Sequence, residues 1–199
     1  MISAPSGGGK TSLIKSLLEK DKRVSLSVSY TTRAPRPGEI NGAHYYFVDQ
    51  HIFSELIARD ALLEHADVFG NRYGTSRDQV EEKLAAGKDV LLDIDWQGAR
   101  QTRESFPSCC TIFIVPPSMA VLLERLTSRG QDTEQVIAQR MNKARAEISH
   151  WSEFDYLIIN DDFDEALKDL QSIVRHGKLN RPGSRKLYNN LLAELLENR

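Results

Sequence analysis

The 199 residues contain only two cysteines, Cys109 and Cys110, and they are adjacent. Neighbouring residues rarely close a relaxed disulfide or build a metal site, so these are read as buried structural thiols. Long apolar runs are lacking too. None reaches the roughly 20 residues that span a bilayer, and the N-terminus lacks the charged-then-apolar form of a signal peptide, so a cytoplasmic protein with no membrane partner is expected. Charge of one sign is also missing. Lys and Arg number 26 against 28 Asp and Glu, a net charge of −2, which leaves no overall basic field to recruit nucleic acid. Any anion site must be local. The five histidines, His44, His51, His65, His150 and His176, have no ligand spacing and are assigned no chemistry. There is no internal repeat and no low-complexity segment.

What is present suits one folded domain with inserted lobes: 40% apolar, 27% charged and 8% aromatic residues. Leu13, Ile14, Leu17 and Leu18 predict a helix after a glycine run, and Val24, Leu26 and Val28 alternate as a strand. Asp49 caps a second helix through Ile52, Phe53, Leu56 and Ile57; Ser76 with Gln79 opens a third that stops at Gly87. Residues 30–48, rich in Thr, Arg, Pro and Gly, read as irregular. Val90-Leu91-Leu92 reads as a buried strand ending in Asp93-Ile94-Asp95, and Thr111 to Val115 as another, closed by Pro116-Pro117. Ser118 starts a helix ending near Gly130, and Asp132 or Thr133 starts the next, carrying Arg140 to about His150. A strand over Tyr156 to Ile159 precedes a helix capped by Asp162. Residues 177–185 read as a joint before a terminal helix with Leu187, Leu191, Leu192, Leu195 and Leu196 on one side. That helix packs on the core or makes a homo-oligomer interface.

The sharpest single feature is Ala4-Pro5-Ser6-Gly7-Gly8-Gly9-Lys10-Thr11, set directly before a helix. It fits the phosphate loop G-x-x-x-x-G-K-[ST] with Ala4 in the first glycine place. Glycines let successive backbone N–H groups curl around phosphate oxygens without side chains in the way. Lys10 would reach the β and γ phosphates, Thr11 would ligate Mg²⁺, and the helix N-terminus adds partial positive charge. Such a loop should follow a buried strand of about five residues. Only Met1-Ile2-Ser3 precede it, so the numbered chain is expected to lack the start of that strand.

A second anion site is suggested by Arg33-Ala34-Pro35-Arg36 followed by Tyr45. Guanidinium forks match phosphate oxygens bidentately and a phenol adds a further bond, although a solvated arginine pair is the plainer alternative. Two phosphate sites in one small domain imply transfer between nucleotides.

With these sites the chain resembles the guanylate kinase family, the bacterial ATP:GMP phosphotransferases. The resemblance runs through the loop Ser3 to Thr11, Thr32-Arg33 to Tyr45 and Phe47, Leu63-Glu64-His65-Ala66, and Gly70-Asn71 with Tyr73-Gly74-Thr75. It continues through Asp93-Ile94-Asp95 with Gln97-Gly98, Pro116-Pro117-Ser118, Arg129-Gly130 and Asn160-Asp161-Asp162. It implies an α/β fold: a P-loop doubly wound parallel-sheet core (residues 1–29, 77–118 and 149–199) with helices on both faces, an inserted GMP-binding lobe (30–76) and a helical lid (119–148).

The resemblance also implies roles. Arg33, Arg36, Tyr45 and Tyr73 would hold the GMP phosphate, and Ser29, Glu64 and Thr75 would face the base. Guanine offers two adjacent donors, N1–H and the 2-amino group, which a carboxylate can accept together; adenine offers an acceptor at N1. Read alone, Glu64 is a surface acid at the end of a helix. Asp93 ends an apolar strand and would orient Mg²⁺-bound water or the GMP-side contacts; Asp95 would help near the base or hold a loop. Arg125, Arg129 and Arg140 read alone as helix-face charges. By resemblance they close over the ATP phosphates. Asn160 would lie near adenine or make a helix-entry turn. The expected reaction moves the γ-phosphoryl of Mg-ATP to GMP in purine nucleotide metabolism. A non-catalytic guanylate-kinase-like binding module is the rival reading, but such modules have degraded phosphate loops, whereas Lys10 and Thr11 are in place.

Overall fold

A computed structural model describes residues 1–68, 70–128 and 133–179. Its central sheet is built from five short apolar strands: β1 (Ile2–Ser3), β2 (Val24–Leu26), β7 (Asp89–Leu91), β8 (Ile112–Val115) and β9 (Tyr156–Ile159). β1 pairs in parallel with β8, β8 with β9 and β2 with β7. A parallel bridge from Ile2 to Asp93 joins the two groups, with Ile2 N–H donating to the Leu92 carbonyl and Ile94 N–H to the Ile2 carbonyl. The order is therefore β2-β7-β1-β8-β9. The run read as one strand through Asp95 pairs as a ladder only to Leu91 and then touches β1 at that single bridge.

Alternation along these strands decides which helices cover which face. Leu91, Ile112, Ile114 and Ile158 pack with α1 (Lys10–Lys20) and α7 (Phe163–Leu179) through Leu13, Ile14, Leu17, Ala166, Leu167 and Leu170. Leu92 and Ile94 turn the other way, toward α3 (Arg77–Ala85) and α4 (Trp96–Ser105) through Val80 and Ala99. Helices on both faces of a parallel sheet make the doubly wound α/β arrangement.

The expected caps are present. Asp49 accepts from Ile52 N–H at the start of α2 (Gln50–Ala58), Ser76 from Gln79 N–H before α3, and Ser118 from Val121 N–H before α5 (Met119–Thr127). Thr133 does so before α6 (Glu134–Ile148), and Asp162 accepts from Glu165 N–H in α7.

Three expectations are corrected. Residues 30–48 are not wholly irregular, because they contain part of β3 (Ser29–Thr31) and all of β4 (Tyr46–Phe47). Glu64 is not at a helix end: it lies in β5 (Leu62–Val68), which forms an antiparallel hairpin with β6 (Asn71–Ser76). A register shift between Leu62 and Glu64 lets Leu62 and Leu63 both be buried, which erases the two-residue period that marks a strand. β3 and β6 are antiparallel, giving a second sheet of order β4-β3-β6-β5 covered by Phe53 of α2. Finally, α7 continues through Gly177 to Leu179, into the segment read as a joint. The expected terminal helix lies outside the described residues.

Candidate active site

Between the two sheets lies a cleft of about 290 Å³. Its floor is the phosphate loop. Gly8 N–H donates to the Pro5 carbonyl in a tight turn, and Gly7 and Gly9 have φ of 90° and 93°, left-handed values that favour glycine. A Cβ on Gly7 would stand 2.8 Å from Leu122 of α5, and one on Gly9 would collide with the Asn160 amide. The loop is thus shaped by close neighbours behind it. Gly9 forms the N-cap of α1 with no side chain capping the first turn, so backbone donors at that end are suited to an anion.

Lys10 Nζ lies 2.5 Å from Asp93 Oδ1 and 3.3 Å from the Ile94 carbonyl. Thr11 lines the cleft beside them. Among the described residues no three His, Cys, Asp or Glu side chains gather into a metal cage. One hydroxyl and one carboxylate are the donor set of a hard cation that takes its other ligands from phosphate and water. Mg²⁺ fits that set.

The opposite wall is laid out by sheet register. Ser29 of β3 pairs with Thr75 of β6, and Thr75 with Glu64 of β5, so three polar residues distant in sequence form one row. All three are buried, Glu64 with 3% exposure. Thr75 Oγ1 donates to Glu64 Oε1 at 2.6 Å. Burial pushes the Glu64 carboxyl up to about 7, with the Thr75 hydrogen bond opposing and the Asp95 charge adding to the rise. Two residues along, Ala66 and Tyr73 continue the same face into the cleft.

Behind this wall stands α4, absent from the sequence reading because its buried face is small: Gly98, Ala99 and Thr102. Asp95 is its N-cap, accepting from Gly98 N–H at 2.9 Å and from the Gln97 amide at 3.0 Å, while also lining the cleft. It therefore holds a helix and faces the site together. Gln101, one turn on, accepts from His65 N–H and donates to the His65 carbonyl, which fastens α4 to β5 beside Glu64.

At the outer end, Tyr45 and Tyr73 meet edge to face at 5.9 Å, and Arg33 sits over the Tyr45 ring. Burial pushes the Tyr45 phenol up to about 12. Arg33 is held by Glu39 at 2.8 Å; the other Glu39 oxygen accepts from Arg36 N–H at 2.7 Å. One carboxylate thus ties together the loop carrying both arginines. Glu39 escaped the sequence reading, although an acid three residues after Arg36 in a Pro-Gly turn is a local signal.

Of the residues expected here, the loop Ala4 to Thr11, Ser29, Arg36, Tyr45, Glu64, Tyr73, Asp93, Asp95 and Arg140 line the cleft. Thr75 and Arg33 stand one layer back, against Glu64 and Tyr45. Arg125 and Asn160 are placed behind the phosphate loop. The Asn160 amide donates to the Gly8 carbonyl at 2.9 Å, and Arg125 Nη2 donates to the Asn160 carbonyl at 2.9 Å. Arg129 lies outside the described residues. Glu147 of α6, which sequence reasoning missed, lines the cleft and accepts from Ser6 N–H at 3.3 Å; burial raises its pKa. No local pattern pairs it with Ser6.

Known proteins share this fold and much of this sequence. A family model described as guanylate kinase matches residues 1–177. The guanylate kinase of Salmonella typhimurium is 55% identical over 198 residues, 98% of this chain and 96% of that protein. That of Escherichia coli K12 is 54% identical over the same shares. In a crystal structure of guanylate kinase from Anaplasma phagocytophilum the fold superposes with a TM-score of 0.76 at 37% identity, covering 95% of this chain and 92% of that one. Identity of this extent, carried from the phosphate loop through α7, means that the chain belongs to the guanylate kinase family.

Proposed function

We propose that this chain, an ATP-dependent guanylate kinase, transfers the γ-phosphoryl of ATP to GMP through the cleft between its two sheets, giving ADP and GDP. The observation that carries the reading is that Ser29 and Glu64, the latter braced by Thr75 from one layer back, line the same cleft as Lys10. The row supplies acceptors and hydroxyls at the depth of a base, and Glu64 can take both guanine donors once ionised. Arg33, Arg36, Tyr45 and Tyr73 hold the GMP phosphate. The loop Ala4 to Thr11 holds the ATP phosphates, with Lys10 neutralising charge on the transferred group.

Thr11, and Asp93 through water, would hold Mg²⁺, which would supply charge neutralisation for the phosphates. No side chain acts as nucleophile. A GMP phosphate oxygen attacks in line, and the chain's residues position it and exclude water. Arg140 reaches the phosphates from α6. Arg125 supports the donor side through Asn160, and Asn160 shapes the loop beneath the nucleotide. Arg129 completes the set of lid arginines.

In this reading the core comprises residues 1–29, 77–118 and 149–199, the GMP-binding lobe 30–76 and the lid 119–148. The base of α5 stays with the core, since Leu122 and Leu126 abut Gly7. Closure is therefore carried beyond Leu126. The enzyme serves purine nucleotide metabolism in the cytoplasm. ADP release measured with GMP, AMP, CMP, UMP and TMP in turn tests the assignment. Turnover with GMP should exceed that with each other acceptor by about 10² or more, and a faster reaction with any of them overturns it.

A further inference from the structure

The Glu64 carboxylate has a wall on the side away from Thr75, and that wall is Gly98. A Cβ built on Gly98 would lie 3.0 Å from Glu64 Cδ and overlap Oε2. Gly98 is the third residue of α4 and does not line the cleft. Intrinsic helix preference favours alanine over glycine at such a site, so an added methyl would be tolerated by the helix itself. The strand cannot slide away to make room, because Gln101 of the same helix holds His65 by both its N–H and its carbonyl. The other carboxylate oxygen is fixed by Thr75 at 2.6 Å.

We propose that Gly98 is the specificity-positioning residue of the acceptor site: the missing side chain lets Glu64 lie against the first turn of α4, with both oxygens set for the two adjacent donors of guanine. This rests on the reading of Glu64 as the guanine acceptor. A methyl at position 98 turns the carboxylate off Thr75 and out of line with N1–H and the 2-amino group. Hypoxanthine lacks the 2-amino group, so IMP measures how much of the paired recognition survives.

The experiment compares Gly98→Ala, Glu64→Asp, the double variant and Glu64→Gln with the parent enzyme, reading KM for GMP, IMP and ATP together with Tm. Gly98→Ala should raise KM for GMP about tenfold or more and lower the GMP-over-IMP preference in kcat/KM about fivefold or more, with KM for ATP within about twofold. In the Glu64→Asp background, where the shorter side chain leaves room, the same substitution should change KM for GMP less than about twofold. Folding of the double variant but not of Gly98→Ala alone would be the same clash in stronger form.

Unchanged GMP kinetics in Gly98→Ala, equal losses toward both nucleotides with a lowered Tm, equal costs in both backgrounds, or misfolding in both backgrounds would each overturn the proposal. Glu64→Gln separates the two levels. If it leaves KM for GMP unchanged, the guanine reading itself fails; if it raises KM while Gly98→Ala does not, only the positioning role fails.

Discussion

Lys10 Nζ and Asp93 Oδ1 stand 2.5 Å apart, joining the phosphate loop to the segment that follows β7. The pair spans the point where Ile2 bridges Asp93, so the cation is anchored to the middle of the parallel sheet. Both side chains are partly exposed, at 21% and 28%. A pair so wetted contributes little to stability, about 1 kcal/mol or less.

Lys10→Met should therefore leave Tm within a few degrees of the parent and lower kcat by a factor on the order of 10³ or more, the loss expected for a phosphate clamp. Thermal unfolding and turnover under saturating substrates check the two halves separately. A variant keeping a tenth of the parent kcat would refute the role of Lys10.

The raised Glu64 carboxyl predicts opposite pH trends for stability and for acceptor binding. Its ordinary value is 4.5, and burial moves it to about 7 in the folded chain. Between those values the folded protein keeps a proton that the unfolded chain has lost. The resulting stabilisation, on the order of 3 kcal/mol, is present below 4.5 and is lost as pH rises through about 7. Burial raises Glu147 in the same direction, so the Glu64 share is the difference between the parent and Glu64→Gln. In the proposed reading GMP is bound by the Glu64 anion, so its affinity should rise as pH goes from 6 to 8. Calorimetry in buffers of different ionisation enthalpy should register proton release near pH 7; a pH-independent GMP affinity would contradict the linkage.

Much of the outer framework was legible because its signals are local. Asp49, Ser76, Ser118, Thr133 and Asp162 each cap a helix within a few residues of themselves, and the glycines of the phosphate loop act on their own backbone. The recognition wall was not legible in this way. The bulge at Leu62 to Glu64 hid β5, and the small buried face of α4 gave no apolar stripe. Family resemblance pointed at Glu64, but its row with Thr75 and Ser29, its contact with Gly98 and the reach of Glu147 to Ser6 are products of tertiary register. Asn160 was expected near adenine or in a helix-entry turn, and its amide reaches beneath the loop to the Gly8 carbonyl, a contact spanning 152 positions that no short motif encodes.

That contact yields a third prediction. Asn160→Ala leaves the Gly8 carbonyl without its partner, and a buried acceptor so orphaned costs about 1 to 3 kcal/mol. Tm should fall by several degrees and KM for ATP should rise by roughly tenfold. The preference for GMP over other monophosphates should not change, because the Ser29, Thr75 and Glu64 row is untouched. Loss of base preference in this variant would show that the two halves of the cleft are not independently built.

The position of β1 in the sheet also constrains the order of assembly. Ile2 has Asp93 on one side and Ile112 on the other, and the loop that follows β1 is braced by Asn160. A chain emerging from the ribosome presents its phosphate loop long before β9 and cannot give it shape until that strand has been made. Long-range pairing of this kind has a high loop-closure cost and slows folding. Nascent chains shorter than about 160 residues should be unable to retain ATP, and the nucleotide becomes a reporter that β9 and Asn160 are in place.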